Sequence, residues 1–83
     1  MIATIEISHY PFIDDYEGPI LAFINALKTK TEVKVWSNGM SSYIQGEWFE
    51  MMKIVTEELY PLFENNAHSA TILKIVPRAM WWP

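Results

Sequence analysis

Asn38-Gly39 constrains this chain more than any other feature. It stands between Trp36 and an alternating run that ends at Gly46. Asn-Gly is a strong hairpin signal, because both central residues of a type I′ turn need positive φ. Val33, Val35 and Trp36 suit a strand on one side, and Ser41 to Gln45 alternate on the other. At Glu47 the apolar period changes from two to a helical one. The segment reads as strand, tight turn, strand, helix start. With the turn centred on Asn38-Gly39, Trp36 faces Ser41, Lys34 faces Tyr43 and Val33 faces Ile44, and opposed residues share a face. Val33, Val35 and Ile44 then form the core side. Lys34, Trp36, Ser41, Tyr43 and Gln45 form the other, a polar-aromatic surface suited to a small heterocycle.

The remaining elements follow from the same logic. Ile2 to Tyr10 alternates apolar Ala3, Ile5 and Ile7 with polar Thr4, Glu6 and Ser8, as a half-buried antiparallel strand does. Pro11 cannot donate to a ladder and should end it. Asp15 is a cap candidate, and Pro19 fits a first helical turn. Ile20, Phe23, Ile24 and Leu27 recur at helical spacing and predict a helix to about Lys28. A second helix starts near Glu47, with Trp48, Met51, Met52, Val55, Leu59, Leu62 and Phe63 as its apolar stripe. Pro61 should kink or end it, and Asn65-Asn66 should break it. Thr71 to Val76 is a last strand, apolar on both parities, so its pattern does not say which way Lys74 points. Pro77 ends it; the tail Ala79 to Pro83 fits no element and is read as frayed or packed on a partner, and residues 77–83 are expected to lie outside the core.

The order β-α-β-β-α-β with right-handed crossovers gives one α+β domain over residues 1–83. Its expected form is a ferredoxin-like four-stranded antiparallel sheet, with the first and third strands central and both helices on one face. The other face is left open. An 83-residue chain that is 51% apolar and 14% aromatic has more apolar surface than this plan hides, so a homo-oligomer is expected. The net charge of −4 and the lack of a basic run argue against nucleic acid. No apolar stretch reaches the roughly 18–20 residues of a membrane span. No secretory signal opens the chain, and with no cysteine for disulfides, iron–sulfur clusters or thiol catalysis the expected location is cytoplasmic.

Several short pieces together resemble a known family. These are Ile5-Glu6-Ile7-Ser8-His9-Tyr10-Pro11, Asp14-Asp15-Tyr16 with Pro19-Ile20, Asn38-Gly39-Met40-Ser41-Ser42, and Gly46-Glu47. In this order, spanning Ile2 to about Val76, they resemble the thiamine/hydroxymethylpyrimidine-binding YkoF-type domain and its single-domain relatives in the YkoF-like superfamily. The resemblance implies a ferredoxin-like fold and non-catalytic binding of thiamine or its pyrimidine precursor, linked to transport or salvage. YkoF itself pairs two such domains in one chain, so a single domain implies a homodimer or homotetramer. Ser42 departs from the threonine of many relatives, and the Trp81-Trp82 tail lies outside the shared pattern.

The candidate ligand-binding residues are Glu6, Ser8, Tyr10, Trp36, Asn38, Ser41, Tyr43 and Gln45, all assigned to the open face. Glu6 offers a carboxylate to an aminopyrimidine or a thiazolium; its plainer role is an ion pair with Lys34 or Lys74. Trp36 and Tyr43 offer rings for stacking, or burial against a partner subunit. Ser8, Tyr10, Ser41 and Gln45 form a polar rim, and Asn38 is first of all a turn residue. Asp14-Asp15 reads as loop and cap, His9 and His68 as surface or packing residues, and Met51-Met52 as core filler. No metal, cofactor or catalytic residue is expected. With three glycines and no phosphate-cradling loop, the unphosphorylated ligand fits better than the diphosphate. Two rival readings are a dimeric α+β barrel-type enzyme with His9 as base, and an oligomeric interaction module that binds no ligand.

Overall fold

The computed structural model describes residues 1–12, 17–38, 41–65 and 68–80. Its elements are β1 (Ile2–Pro11), α1 (Glu17–Lys28), β2 (Val33–Ser37), β3 (Ser42–Glu47), α2 (Trp48–Asn65) and β4 (Ser69–Val76). The four strands form one antiparallel sheet in the order β2-β3-β1-β4. The central pair is β1 and β3, as the sequence pattern predicts, and the fold is the ferredoxin-like βαββαβ arrangement.

Period-two alternation along β1 turns Ala3, Ile5 and Ile7 into the core. There they meet Ile44 of β3, Phe23, Ile24 and Leu27 of α1, and Met51, Val55, Leu59 and Leu62 of α2. Each fully buried side chain of this kind contributes about 1.5–3 kcal/mol. Ile54 joins the core although the predicted stripe passed over it, and Phe63, assigned to that stripe, is exposed. Pro61 does not end α2. The helix runs on to Asn65, whose side-chain amide donates to the Pro61 carbonyl at 2.9 Å. The predicted Asp15 cap and the Asn66 break lie outside the described residues.

At its start, α2 is capped by Glu47, whose carboxylate accepts the Glu50 N–H at 2.9 Å. That hydrogen bond favours the charged form and holds the Glu47 carboxyl below its ordinary range. Gly46, one residue earlier, is needed for a close approach. A Cβ there would lie 2.9 Å from Val33 Cγ1 and 3.3 Å from the Glu32 carbonyl oxygen.

The hairpin differs from expectation in register. Val35 pairs with Ile44, Trp36 with Tyr43 and Ser37 with Ser42. The turn is therefore centred one residue later than Asn38-Gly39. Asn38 does not adopt the positive φ that a type I′ turn centred there requires. Its side chain instead accepts the Ser41 N–H at 2.9 Å, while its own N–H donates to the Ser41 carbonyl at 3.0 Å. Local bonding of an asparagine side chain to the backbone competes with the turn that its sequence suggests. A one-residue displacement of the centre changes every partner by two, so the parity of both strands, and each residue's face, is unaltered.

Candidate functional site

The register sets a row of four side chains straight across the open face. Trp36 on β2 faces Tyr43 on β3, Tyr43 faces Glu6 on β1, and Glu6 faces Lys74 on β4. The Trp36 and Tyr43 rings are stacked, with centroids 5.3 Å apart and planes 14° from parallel. Lys74 Nζ lies 3.5 Å from the Glu6 carboxylate, which settles the direction that the β4 pattern left open. The lysine is mostly exposed, so this pair contributes only about 0–1 kcal/mol and is cheaply rearranged.

The next row along the strands is Gln45, Thr4 and Val76. Here the polar side chains are buried: Thr4 is 3% and Gln45 6% exposed. Residues 77–80 turn back over them. The Thr4 hydroxyl lies 2.7 Å from Gln45 Oε1 and 2.9 Å from the Arg78 carbonyl, and its single proton serves one of them at a time. The Met80 N–H points at both Gln45 Oε1 (2.6 Å) and Thr4 Oγ1 (3.1 Å). The chain beyond β4 therefore straps one end of the open face.

Between the strap and the row lies a cavity of about 320 Å³, walled by Thr4, Glu6, Trp36, Tyr43, Lys74, Val76 and Met80. This is near the lower end of small-molecule sites, about 300–1,000 Å³. On its far side, the Ser8 and Ser41 hydroxyls are 3.4 Å apart, and Asn38 Nδ2 donates to the Tyr43 hydroxyl at 3.2 Å. Beyond them Tyr10 is 52% exposed, opposite Ala70.

Of the predicted residues, then, Glu6, Trp36 and Tyr43 line the cavity. Ser8, Asn38 and Ser41 stand behind it, where Asn38 holds the Tyr43 hydroxyl and the two serines meet each other, while Tyr10 is remote from it. Gln45 is on the predicted face, but its carboxamide oxygen is bonded to the strap. Thr4, Lys74, Val76 and Met80 were not among the predicted residues. Strand alternation placed Thr4 on this face; β4 carried no usable parity, and nothing in the local pattern marks Met80.

A larger cavity, about 410 Å³, lies between α1 and α2 against Ala22, Phe23, Ala26, Pro61 and Leu62. Its ionisable wall, Glu58, is 3.6 Å from Lys30 Nζ. Convergent polar groups, which orient a ligand, favour the open-face site over this groove. Among the described residues no three His, Cys, Asp or Glu side chains gather as a metal site, and no helix is long and apolar enough to cross a membrane. His9 is on the helix-facing side of β1, away from the open face. Its Nδ1 is 2.8 Å from Thr71 Oγ1, its Nε2 is buried without a partner among the described residues, and burial lowers its pKa.

No family model and no curated protein sequence matches this chain. Solved structures do. A Streptococcus pneumoniae protein superposes with a TM-score of 0.82 at 23% identity, over 96% of this chain and 90% of its own. A Thermotoga maritima protein, described as a proposed thiamine biosynthesis/salvage protein, gives 0.80 at 20% identity, over 94% and 85%. A domain of unknown function, DUF77, from Bacillus cereus gives 0.73 at 17%, over 94% and 77%. At these identities the likeness defines a fold class: a small ferredoxin-like βαββαβ domain, one of whose structural neighbours is named for thiamine metabolism.

Proposed function

We propose that this protein binds thiamine or its hydroxymethylpyrimidine precursor on the open sheet face, without chemical turnover. The observation that carries this reading is the row Trp36, Tyr43, Glu6 and Lys74 beside a cavity of about 320 Å³. A flat heterocycle laid in the cavity finds aromatic rings at one end and a carboxylate at the other. An aminopyrimidine presents the donors that a carboxylate accepts, and a thiazolium presents a cation to both the carboxylate and the rings. The thiamine-related description of the Thermotoga maritima neighbour and the YkoF-type motifs support the same ligand class. The barrel-enzyme reading needs His9 among the open-face groups, and the chain carries it on the other side.

The binding form is a homodimer or homotetramer. Tyr10 and Ile72 are 52% and 56% exposed at the uncovered end of the open face, and β4 is an edge strand. Sedimentation equilibrium at micromolar concentration should show no monomer.

Calorimetry with thiamine and with hydroxymethylpyrimidine tests the ligand. Glu6→Gln keeps the shape and removes the charge. A hydrogen bond to a charged group is worth about 1.5–3 kcal/mol, so affinity should fall by roughly ten- to a hundredfold. Unchanged affinity in an intact oligomer would mean that the open face is an interface and not a site.

A further inference from the structure

The strap over Thr4 and Gln45 lies at one end of the proposed ligand cavity. On this open face two polar side chains are almost wholly withdrawn from water. What withdraws them is the segment 77–80, and what holds that segment is backbone bonding: the Arg78 carbonyl and the Met80 N–H both engage the Thr4–Gln45 pair. The Met80 side chain and Val76 then form the wall at this end. A two-residue step along a strand is about 7 Å, close to the width of one heteroaromatic ring. Lifting Met80 from Thr4 and Gln45 would extend the cavity by that step. It would also hand the ligand a hydroxyl and a carboxamide now bonded to the strap.

We propose that residues 77–80 are the size filter of this site: clamped, they admit a single substituted ring, and released, they admit a two-ring ligand. The proposal rests on the reading of the open face as a heterocycle site. It assigns Thr4 and Gln45 two alternative partners, the Met80 N–H in the clamped form and the second ring's polar groups in the released form. Met80 is the specificity-determining residue, through its backbone as much as through its side chain. A buried carboxamide oxygen and hydroxyl need a partner in either form. Release without an occupant is opposed by the lost tail bonds, and a two-ring ligand replaces them.

Met80→Pro separates the two forms. It removes the N–H that both Thr4 and Gln45 accept, and it leaves the sheet untouched. Met80→Ala keeps the N–H and shortens the wall. Calorimetry on the full chain would use hydroxymethylpyrimidine as the one-ring probe and thiamine as the two-ring probe. The wild type should favour hydroxymethylpyrimidine. Met80→Pro should raise thiamine affinity relative to hydroxymethylpyrimidine by about tenfold, and Met80→Ala by less. Amide exchange gives a readout that needs no ligand: the Met80 N–H should be protected in the wild type, and the protection should be lost when both of its acceptors are removed, in Thr4→Val with Gln45→Leu. A Met80 amide that exchanges freely in the wild type overturns the clamp. Hydroxymethylpyrimidine binding with an unchanged ratio in Met80→Pro overturns the filter and leaves the site standing. If neither probe binds wild type or variant, the site and the filter both fall.

Discussion

Ile5 and Glu6 are neighbours in β1 and meet opposite surroundings. Ile5 is fully buried under the two helices, among apolar side chains from both. Glu6 is opposite, between an aromatic ring and a lysine, beside a cavity. The helix face is held by many interchangeable dispersion contacts. The open face is held by a few directed ones: a ring stack, an ion pair, and the bonds of the strap. The contrast teaches where to look for stability and where for binding. Substitutions on the first face should act on folding and those on the second on ligand, and each prediction below tests how cleanly that division holds.

The largest effect is expected from Ile5→Ala. Truncating a fully buried isoleucine costs about 2–5 kcal/mol, depending on how far the surroundings collapse. Chemical denaturation should show a loss of that size, with thiamine affinity unchanged at temperatures where the variant is folded. A smaller loss comes from Gly46→Ala, also on the helix face. The new Cβ would meet the β-branched Val33, which has little freedom to turn aside, and the Glu32 carbonyl. Such overpacking costs about 1–3 kcal/mol. A variant as stable as the wild type would show that β2 shifts outward freely.

Much of this division is legible in the sequence because it rests on period. Alternation in β1 assigns Ala3, Ile5 and Ile7 to one face and Thr4, Glu6 and Ser8 to the other. Helical spacing selects Phe23, Ile24 and Leu27. The hairpin shows the limit. The dipeptide Asn38-Gly39 points to a type I′ turn, but the asparagine side chain bonds the Ser41 N–H instead and moves the centre by one residue. Face assignment survives, and pairing does not: Tyr43 stacks on Trp36 where Lys34 was expected. The strap was invisible for a different reason. Its bonds join backbone groups of Arg78 and Met80 to the side chain of Thr4, 74 and 76 positions away, and that of Met80 also to Gln45, 35 positions away. Backbone donors carry no residue signature. Lys74 and Val76 were unassigned because Ile72, Leu73, Ile75 and Val76 give β4 no preferred parity.

The open face has its own, smaller contribution to stability, and Trp36→Ala measures it. A stacked aromatic pair is worth about 0.5–1.5 kcal/mol beyond the area it buries. The stacking part of the loss should therefore stay below the cost of Gly46→Ala. A double-mutant cycle with Tyr43→Ala isolates the stacking. Coupling near zero would mean that the rings are aligned by the strands and not by one another, and the two faces would then differ even more sharply than the geometry suggests.

The smallest effect concerns His9, the one ionisable group that β1 turns toward the helix side. Protonation would place a second N–H on a ring whose Nε2 is buried without a partner among the described residues. Burial accordingly lowers the His9 pKa from 6.5. Because the folded value lies below the unfolded one, the unfolded chain binds more protons between the two. Stability is therefore complete above pH 6.5 and declines as pH falls from there through the folded pKa. His9→Asn retains a group able to meet the Thr71 hydroxyl and removes the titration. Denaturation midpoints taken from pH 8 to 5 should fall less steeply below pH 6.5 in the variant than in the wild type. Superimposable slopes would mean that His9 does not carry the decline; Glu47, whose lowered pKa gives stability that is lost only as pH falls below 4.5, does not titrate in this window.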